Sequence, residues 1–254
     1  VLTIRRFPGK PITMEQLIRF SSISQEAAEL LESLVKAGYN ILVSGGTGSG
    51  KTTALNALSA FIPPEERVIV IVCADFASQG VLELMNSAFP VVTIDYTHYN
   101  CTAVCSNNVK GMEEITIRDL IRTSLRMRPT RLIVGEVRGK EAIDMLQSVN
   151  VGHCGMTTIH ANSIRDVVSR LETLVLMGME IPIPAVRRQI SAGFDLMVHL
   201  GRLRDGTRRV LEIAEPLPFT EGEIQFRSLY RFREVAEREG RIIGKLEKVG
   251  ELMQ

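Results

Sequence analysis

The residues with the clearest chemical purpose are Gly45-Gly46-Thr47-Gly48-Ser49-Gly50-Lys51-Thr52-Thr53, which fit the spacing G-x-x-x-x-G-K-[ST]. Glycines let consecutive backbone N–H groups turn inward around an anion, where side chains would block the approach. A helix starting at Lys51 adds the partial positive charge of its N-terminus at the same point. Lys51 then reaches the β- and γ-phosphates of a nucleotide such as ATP, and the Thr52 hydroxyl is offered to Mg²⁺. An apolar strand runs into the loop at Asn40-Ile41-Leu42-Val43, as the motif requires. Nucleotide binding is the expectation.

A phosphate cradle alone performs no reaction. The acid that completes it should end a neighbouring buried strand, and Arg131-Leu132-Ile133-Val134-Gly135-Glu136 is such a strand. Glu136 is suited to polarising an attacking water or to holding a magnesium-bound water. Arg138, two residues on, either stabilises phosphate charge or is an ordinary loop arginine. His160 ends Thr157-Thr158-Ile159-His160 and either bonds a γ-phosphate or packs as a structural histidine. His153 and Cys154 are adjacent, and Cys101 and Cys105 follow His98, but the spacing fits no standard zinc pattern.

The elements that must hold these residues follow from periodicity. Residues 1–10 alternate like a strand and stop at Pro8-Gly9. Helices are expected after Thr13 and after Ser24, with Gly38 ending the second. Further helices are expected over Lys51–Ala60, Thr116–Met127, Glu141–Val149 and from Ser163 to Leu176. Strands are expected at Arg67–Val72, Arg131–Val137 and Met156–His160, and Pro182 and Pro184 read as a break. This alternation is that of a parallel sheet covered by helices. Beyond Phe194 the pattern changes: Asp205-Gly206 sits between Asp195–Leu203 and Arg209–Leu217, a hairpin signal, and Ile224–Phe232 adds a third strand. The charged tail from Glu234 is expected to be helical or mobile.

Composition narrows the class. The 254 residues carry 30 Lys+Arg against 29 Asp+Glu, so a protein held to nucleic acid by sheer charge is disfavoured. The 5% aromatic content, with no Trp, also disfavours base-stacking grooves, and no nucleic-acid partner is expected. The longest apolar run, Val68–Ala74, is far short of the ~20 residues a membrane span needs. Four cysteines make no disulfide framework in a chain of this length, so a reducing cytosol is the default. One stretch stands apart: Val68 to Val109, 42 residues, holds no Lys or Arg and three of the four Cys.

Taken together, the phosphate loop, Ile117-Arg118-Asp119-Leu120, Leu125-Arg126-Met127-Arg128-Pro129, Ile133-Val134-Gly135-Glu136-Val137-Arg138-Gly139 and Thr157-Thr158-Ile159-His160-Ala161-Asn162-Ser163 resemble the type II/type IV secretion ATPase superfamily. Within it the pattern is most similar to the tight-adherence (Flp) pilus branch, through Arg170-Leu171-Glu172-Thr173-Leu174-Val175-Leu176-Met177 and Gly201-Arg202-Leu203-Arg204-Asp205-Gly206. The resemblance implies a RecA-like P-loop NTPase core with a C-terminal antiparallel hairpin extension. It implies a homo-oligomeric motor, hexameric in the full-length protein, at the cytoplasmic face of the inner membrane. That motor would use ATP and Mg²⁺ against membrane platform proteins to drive pilus assembly or export. Lys51 and Thr52 match the Walker A lysine and hydroxyl, Glu136 the Walker B acid, and His160 the histidine of the His box. Thr52 and Glu136 are thereby the metal-side residues. Arg126, Arg128 and Arg138 match arginines near the nucleotide or a subunit boundary, and Arg5 or Arg6 a contact to the γ-phosphate.

The implied organisation is a remnant of an N-terminal domain over 1–20, the ATPase domain over 21–232 and a charged tail over 233–254. Three departures qualify the resemblance. The resemblance leads one to expect most of an N-terminal domain that these residues do not include. One residue is missing between Gly155 and Thr157, which should shift the approach to His160. The acidic segment expected after the phosphate loop would put Glu and Asp at 72 and 73, where Val72 and Cys73 stand. Either Asp75 or Asp95 replaces that Glu in a diverged loop, or an altered reading frame has left foreign residues over 68–109 and a nucleotide-binding but catalytically impaired chain.

Overall fold

The structure is a computed structural model that describes residues 11–72, 92–95 and 116–253, with the backbone only at 72 and 92–95. Its elements follow local signals closely. Helix α1 (Met14–Arg19) opens on Thr13, whose hydroxyl accepts the Gln16 N–H while the Gln16 side chain accepts the Thr13 N–H. Helix α2 (Gln25–Lys36) is capped by Ser24 and buries Ala27, Leu31, Leu34 and Val35 along one face. Gly38 ends it in the left-handed region (φ 86°), as its position in the sequence suggested.

Strand β1 (Ile41–Gly45) leads through the glycine loop into α3 (Lys51–Ser59), and β2 (Val68–Val72) and β3 (Val92–Asp95) follow. Helix α4 (Ile117–Leu125) begins with a reciprocal Thr116–Asp119 cap, then come β4 (Arg131–Val137), α5 (Ala142–Asn150), β5 (Cys154–His160) and α6 (Ile164–Leu176). Among the described residues a further helix, α7 (Ile183–Gly193), occupies the segment read as a break. Both prolines are compatible with it because Pro182 is the N-cap and Pro184 lies in the first turn, where the N–H has no helical partner anyway.

The described strands form one nine-stranded sheet in the order β3-β2-β4-β5-β1-β6-β7-β8-β9, with β6 (Leu196–Arg202), β7 (Arg208–Pro216), β8 (Phe226–Arg238) and β9 (Arg241–Lys248) completing it. Strands β1 to β6 pair in parallel and β6 to β9 antiparallel. The fold is thus the expected mostly parallel α/β sheet with antiparallel C-terminal strands. Helices α1 to α3 pack on one face around Leu31, Val43, Leu55 and Val70. Helices α4 to α7 pack on the other around Leu42, Val134, Ile143 and Leu171. Because the parallel strands are covered on both sides, β1 and β4 are buried at every position. Burial of the same kind at Val68–Ile71 accounts for the start of the segment without Lys or Arg.

The tail corrects an expectation. It is not helical but stranded: β8 runs without interruption through position 232, turns at Glu239-Gly240 with both φ positive, and returns as β9. That turn geometry matches the right-handed twist of the two strands. Ile242 and Leu246 are buried, and the charges that suggested a solvated tail are cross-strand neighbours such as Arg233 and Glu247. Asp205 in the β6–β7 turn also accepts the Ile242 N–H at 2.9 Å. No described helix is long and apolar enough to cross a membrane.

Candidate functional site

The parallel strands β1, β5 and β4 lie side by side and end together, so the residues just past their C-terminal ends share one rim of the sheet. Gly45 at the end of β1 is in register with His160 at the end of β5. The shorter approach noted before Thr157 therefore leaves the β1–β5 register unbroken. A bulge in β4 between Val134 and Val137 inserts one residue relative to β5 and redirects Glu136. The Thr158 hydroxyl donates to the Gly135 carbonyl at 2.8 Å and fixes that bulge from β5.

The loop itself is held by backbone geometry. Gly48 (φ 70°) and Gly50 (φ 98°) are left-handed, and Gly50 caps α3 without a side-chain bond. A Cβ on Gly45 would lie 2.4 Å from the Leu200 carbonyl oxygen and 2.5 Å from Ser49 Oγ, so β6 and the loop both depend on its absence. Lys51 is buried and donates from Nζ to the Gly45 and Gly46 carbonyls at 3.0 Å each. The same Nζ is 3.3 Å from His160 Nδ1. His160 Nε2 is 2.9 Å from one Glu136 oxygen, and an Arg138 guanidinium nitrogen is 2.9 Å from the other. Lys51, His160, Glu136 and Arg138 are therefore one contiguous set, drawn from three segments that are 109 residues apart at the extremes.

Electrostatics follows from burial. Desolvation lowers the Lys51 ammonium from its usual value, while the Glu136 carboxylate pushes it back up. Desolvation, then Lys51, lowers the His160 imidazole, against the raising influence of Glu136. A neutral imidazole thus lies between an ammonium and a carboxylate. Both Glu136 oxygens are buried with no hydrogen-bond donor in line, only the charge contacts to Arg138 and His160. Such a carboxylate, opposite a loop carrying Thr52, fits a hydrated Mg²⁺, which keeps most of its waters and takes few protein ligands. No group of three or more His, Cys, Asp or Glu side chains among the described residues is placed to hold a metal ion.

Other expectations fall elsewhere. Arg126 and Arg128 precede β4 and are exposed at the opposite end of that strand from Glu136. In this chain they are away from the phosphate loop. Asp95 ends β3 in register with Val72, two strands from β4 and about 10 Å in backbone spacing. Arg5, Arg6, Asp75, His98, Cys101 and Cys105 lie outside the described residues.

The sequence reading also missed three neighbours. Glu141 accepts the backbone N–H of Arg138 at 2.7 Å and of Gly139 at 2.8 Å, holding the turn after Glu136. An acid two or three residues past a glycine turn is a legible signal for that role. Arg208 of β7 donates from Nε to the Gly48 carbonyl at 2.7 Å, and His199 of β6 meets Ser44 below the loop. Those contacts span 160 and 155 positions and leave no local trace. Beside the loop, Ser49, Gly50 and Thr53 line a mostly apolar cavity of about 270 Å³ with Met14, Leu17 and Arg208.

A profile described as "Type II/IV secretion system protein" matches residues 1–207. The chain belongs to the type II/IV secretion system protein family. A Mycobacterium tuberculosis protein named for conjugal transfer is 37% identical over 219 residues, covering 85% of this chain and 57% of its own. The type IV secretion system protein PtlH of Bordetella pertussis is 33% identical over 192 residues, covering 73% of this chain and 52% of its own. The chain thus spans little more than half the length of these curated relatives. Among solved structures, the VirB11 ATPase of the Brucella suis type IV secretion system superposes with TM-score 0.58 at 27% identity, covering 82% of this chain and 64% of that one. The pilus retraction motor PilT with bound ADP shares the fold at TM-score 0.58 and 20% identity, covering 85% of this chain and 56% of that one.

Proposed function

We propose that this chain binds Mg·ATP and hydrolyses it as the motor domain of a secretion or pilus-assembly machine. The observation that carries this reading is the contiguous Lys51–His160–Glu136–Arg138 set on the rim beside the left-handed glycine loop. The loop N–H groups and Lys51 would bind the triphosphate, and Thr52 with Glu136 would hold Mg²⁺, which would supply charge neutralisation of the phosphates. Glu136 orients the attacking water and accepts its proton. Neutral His160, between Lys51 and Glu136, contacts the γ-phosphate and so distinguishes ATP from ADP. Arg138, held by its neighbours and the Glu141 turn, adds positive charge where the transition state accumulates negative charge. Thr53 at the cavity mouth continues the line of the loop, so the adenine and ribose occupy the apolar cavity under α1.

We assign the movement to pilin assembly or protein export at the inner face of the cytoplasmic membrane, within a homo-oligomeric ring. The tight-adherence branch remains our reading from the Arg170–Met177 and Gly201–Gly206 segments. The test compares Mg·ATP hydrolysis by the wild type, Lys51→Ala and Glu136→Gln. Loss of binding in the first variant and a fall in kcat of about 10²- to 10⁴-fold in the second is the expected result. Equal rates in all three would refute it. Tight ATP binding by a wild type that releases no phosphate would favour the catalytically impaired reading, for which Val72 and Cys73 at the acidic positions speak.

A further inference from the structure

A loop that turns N–H groups inward around an anion turns carbonyls outward, and an outward carbonyl is held where a donor meets it. Lys51 Nζ meets the Gly45 and Gly46 carbonyls at 3.0 Å each. The Gly48 carbonyl is met by Arg208 Nε at 2.7 Å, from the start of β7 and 160 positions away. Gly48 (φ 70°) and Gly50 (φ 98°) are the left-handed part of the loop, where the backbone has the most freedom to lose. The Arg208 stem covers that part: a Cβ on Gly50 would lie 3.5 Å from Arg208 Cδ. Lys51 has to serve the phosphates as well as the carbonyls it holds. The Arg208 bond uses neither Lys51 nor a loop N–H, so it does not compete with the triphosphate.

Arg208 is itself placed by the β6–β7 turn. The Leu203 N–H donates to the Thr207 carbonyl at 2.8 Å, and Asp205 Oδ1 accepts the Thr207 N–H at 2.9 Å. The other carboxylate oxygen accepts the Ile242 N–H of β9 at 2.9 Å. Arg204 pairs with Glu234 and Glu237 of β8, but these groups are exposed and such pairs contribute little. The two Asp205 bonds therefore carry the connection. The turn is pinned to the β8–β9 hairpin on one side and to the phosphate loop on the other. Arg208 and that hairpin both lie beyond residues 1–207, the part matched by the family profile.

We propose that Arg208 is a positioning residue that holds the Gly48-Ser49-Gly50 backbone in its phosphate-binding shape through the Gly48 carbonyl, from a turn that Asp205 pins to β9. This rests on the nucleotide reading above. It assigns Arg208 no contact with base or sugar. It also makes the donating atom decisive, because lysine keeps the charge but has a methylene where arginine has Nε.

Calorimetric titration with Mg·ATP and with Mg·tripolyphosphate, which has neither base nor sugar, tests it. Arg208 is exposed, so its variants should melt within about 3 °C of the wild type. Arg208→Ala is expected to weaken both ligands by the same factor, about 5- to 30-fold, and Arg208→Lys by nearly as much. Asp205→Ala weakens both by a smaller factor and adds nothing to Arg208→Ala, because the two act on one link. Unchanged affinity in Arg208→Ala overturns the proposal. A loss confined to ATP overturns it by making Arg208 a contact to base or ribose. Full affinity in Arg208→Lys overturns it by making charge the cause, and additive losses with Asp205→Ala do so by separating the two residues. A collapse of Tm in both Arg208 variants assigns Arg208 to folding and overturns it too. ATP binding by a wild type that takes no tripolyphosphate also counts against it, since the loop would then lack a phosphate-binding shape of its own. No binding of Mg·ATP by the wild type refutes nucleotide binding itself, and this proposal with it.

Discussion

At the scale of residues, the site depends on keeping two imidazoles neutral. His160 lies between Lys51 and Glu136, His199 meets Ser44 in the buried sheet, and burial is the first cause that lowers each from the ordinary 6.5. As pH falls, the unfolded chain takes up these protons before the folded one does. Their contribution to stability is therefore complete above about 6.5 and is lost as pH drops from there through the folded values. Thermal melts between about pH 7.5 and 5.5 should show Tm falling toward acid. His199→Phe should show a shallower fall over that interval, and parallel slopes would contradict this account. Lys51, Glu136 and the glycines were legible because each is tied to a short spacing. His160 was legible as a candidate, but the bare residue left its role open. Its 2.9 Å approach to Glu136 comes from strand pairing.

At the scale of elements, the glycine loop is held as much by β6 and β7 as by its own sequence. Gly45 faces the Leu200 carbonyl, and Arg208 bonds Gly48 from the start of β7. Gly45→Ala should therefore act through β6: its Cβ must displace backbone, not a flexible side-chain end. We expect a loss of about 1–3 kcal/mol in unfolding free energy and weaker ATP binding, measured by denaturant unfolding and calorimetry. Gly46→Ala is the control for stability alone, because a Cβ there meets no protein atom within 4 Å. Helices were the most legible elements, since Thr13, Ser24, Thr116 and Ser163 cap them as read. The miss at α7 came from treating Pro182 and Pro184 as breakers when their positions made them starters.

At the scale of the whole molecule, the C-terminal strands are part of the core rather than an appendage. Leu229, Tyr230 and Leu246 belong to the same cluster as Leu31 and Leu55 under α2 and α3. A chain ending at Phe232 would lose β9, the far half of β8 and the burial of Ile242 and Leu246. At about 1.5–3 kcal/mol for each buried side chain, that is on the order of 3–6 kcal/mol. Tm should fall by roughly 6–24 °C in a chain of this size, and an unchanged Tm would return the segment to the status of a tail. Charge density misled the reading because a strand solvated on one side needs only every second residue to be apolar.

What the sequence determined by itself was everything carried by contiguous residues. That comprises the phosphate loop with its strand and helix, the acid-ended strand, the helix caps, the hairpin turn and the α/β alternation. These depend on local backbone preferences and on periodicity, which act over a few residues. The tertiary structure alone decided which strand lies beside which. It therefore decided that Glu136 reaches His160, that Arg126 and Arg128 sit at the far end of β4, that Ser44 meets His199, and that the charged C-terminus closes the sheet. Those outcomes come from burying two helical layers against one sheet. That burial selects a strand order from pairings 100 or more residues apart, for which no local spacing carries a signal.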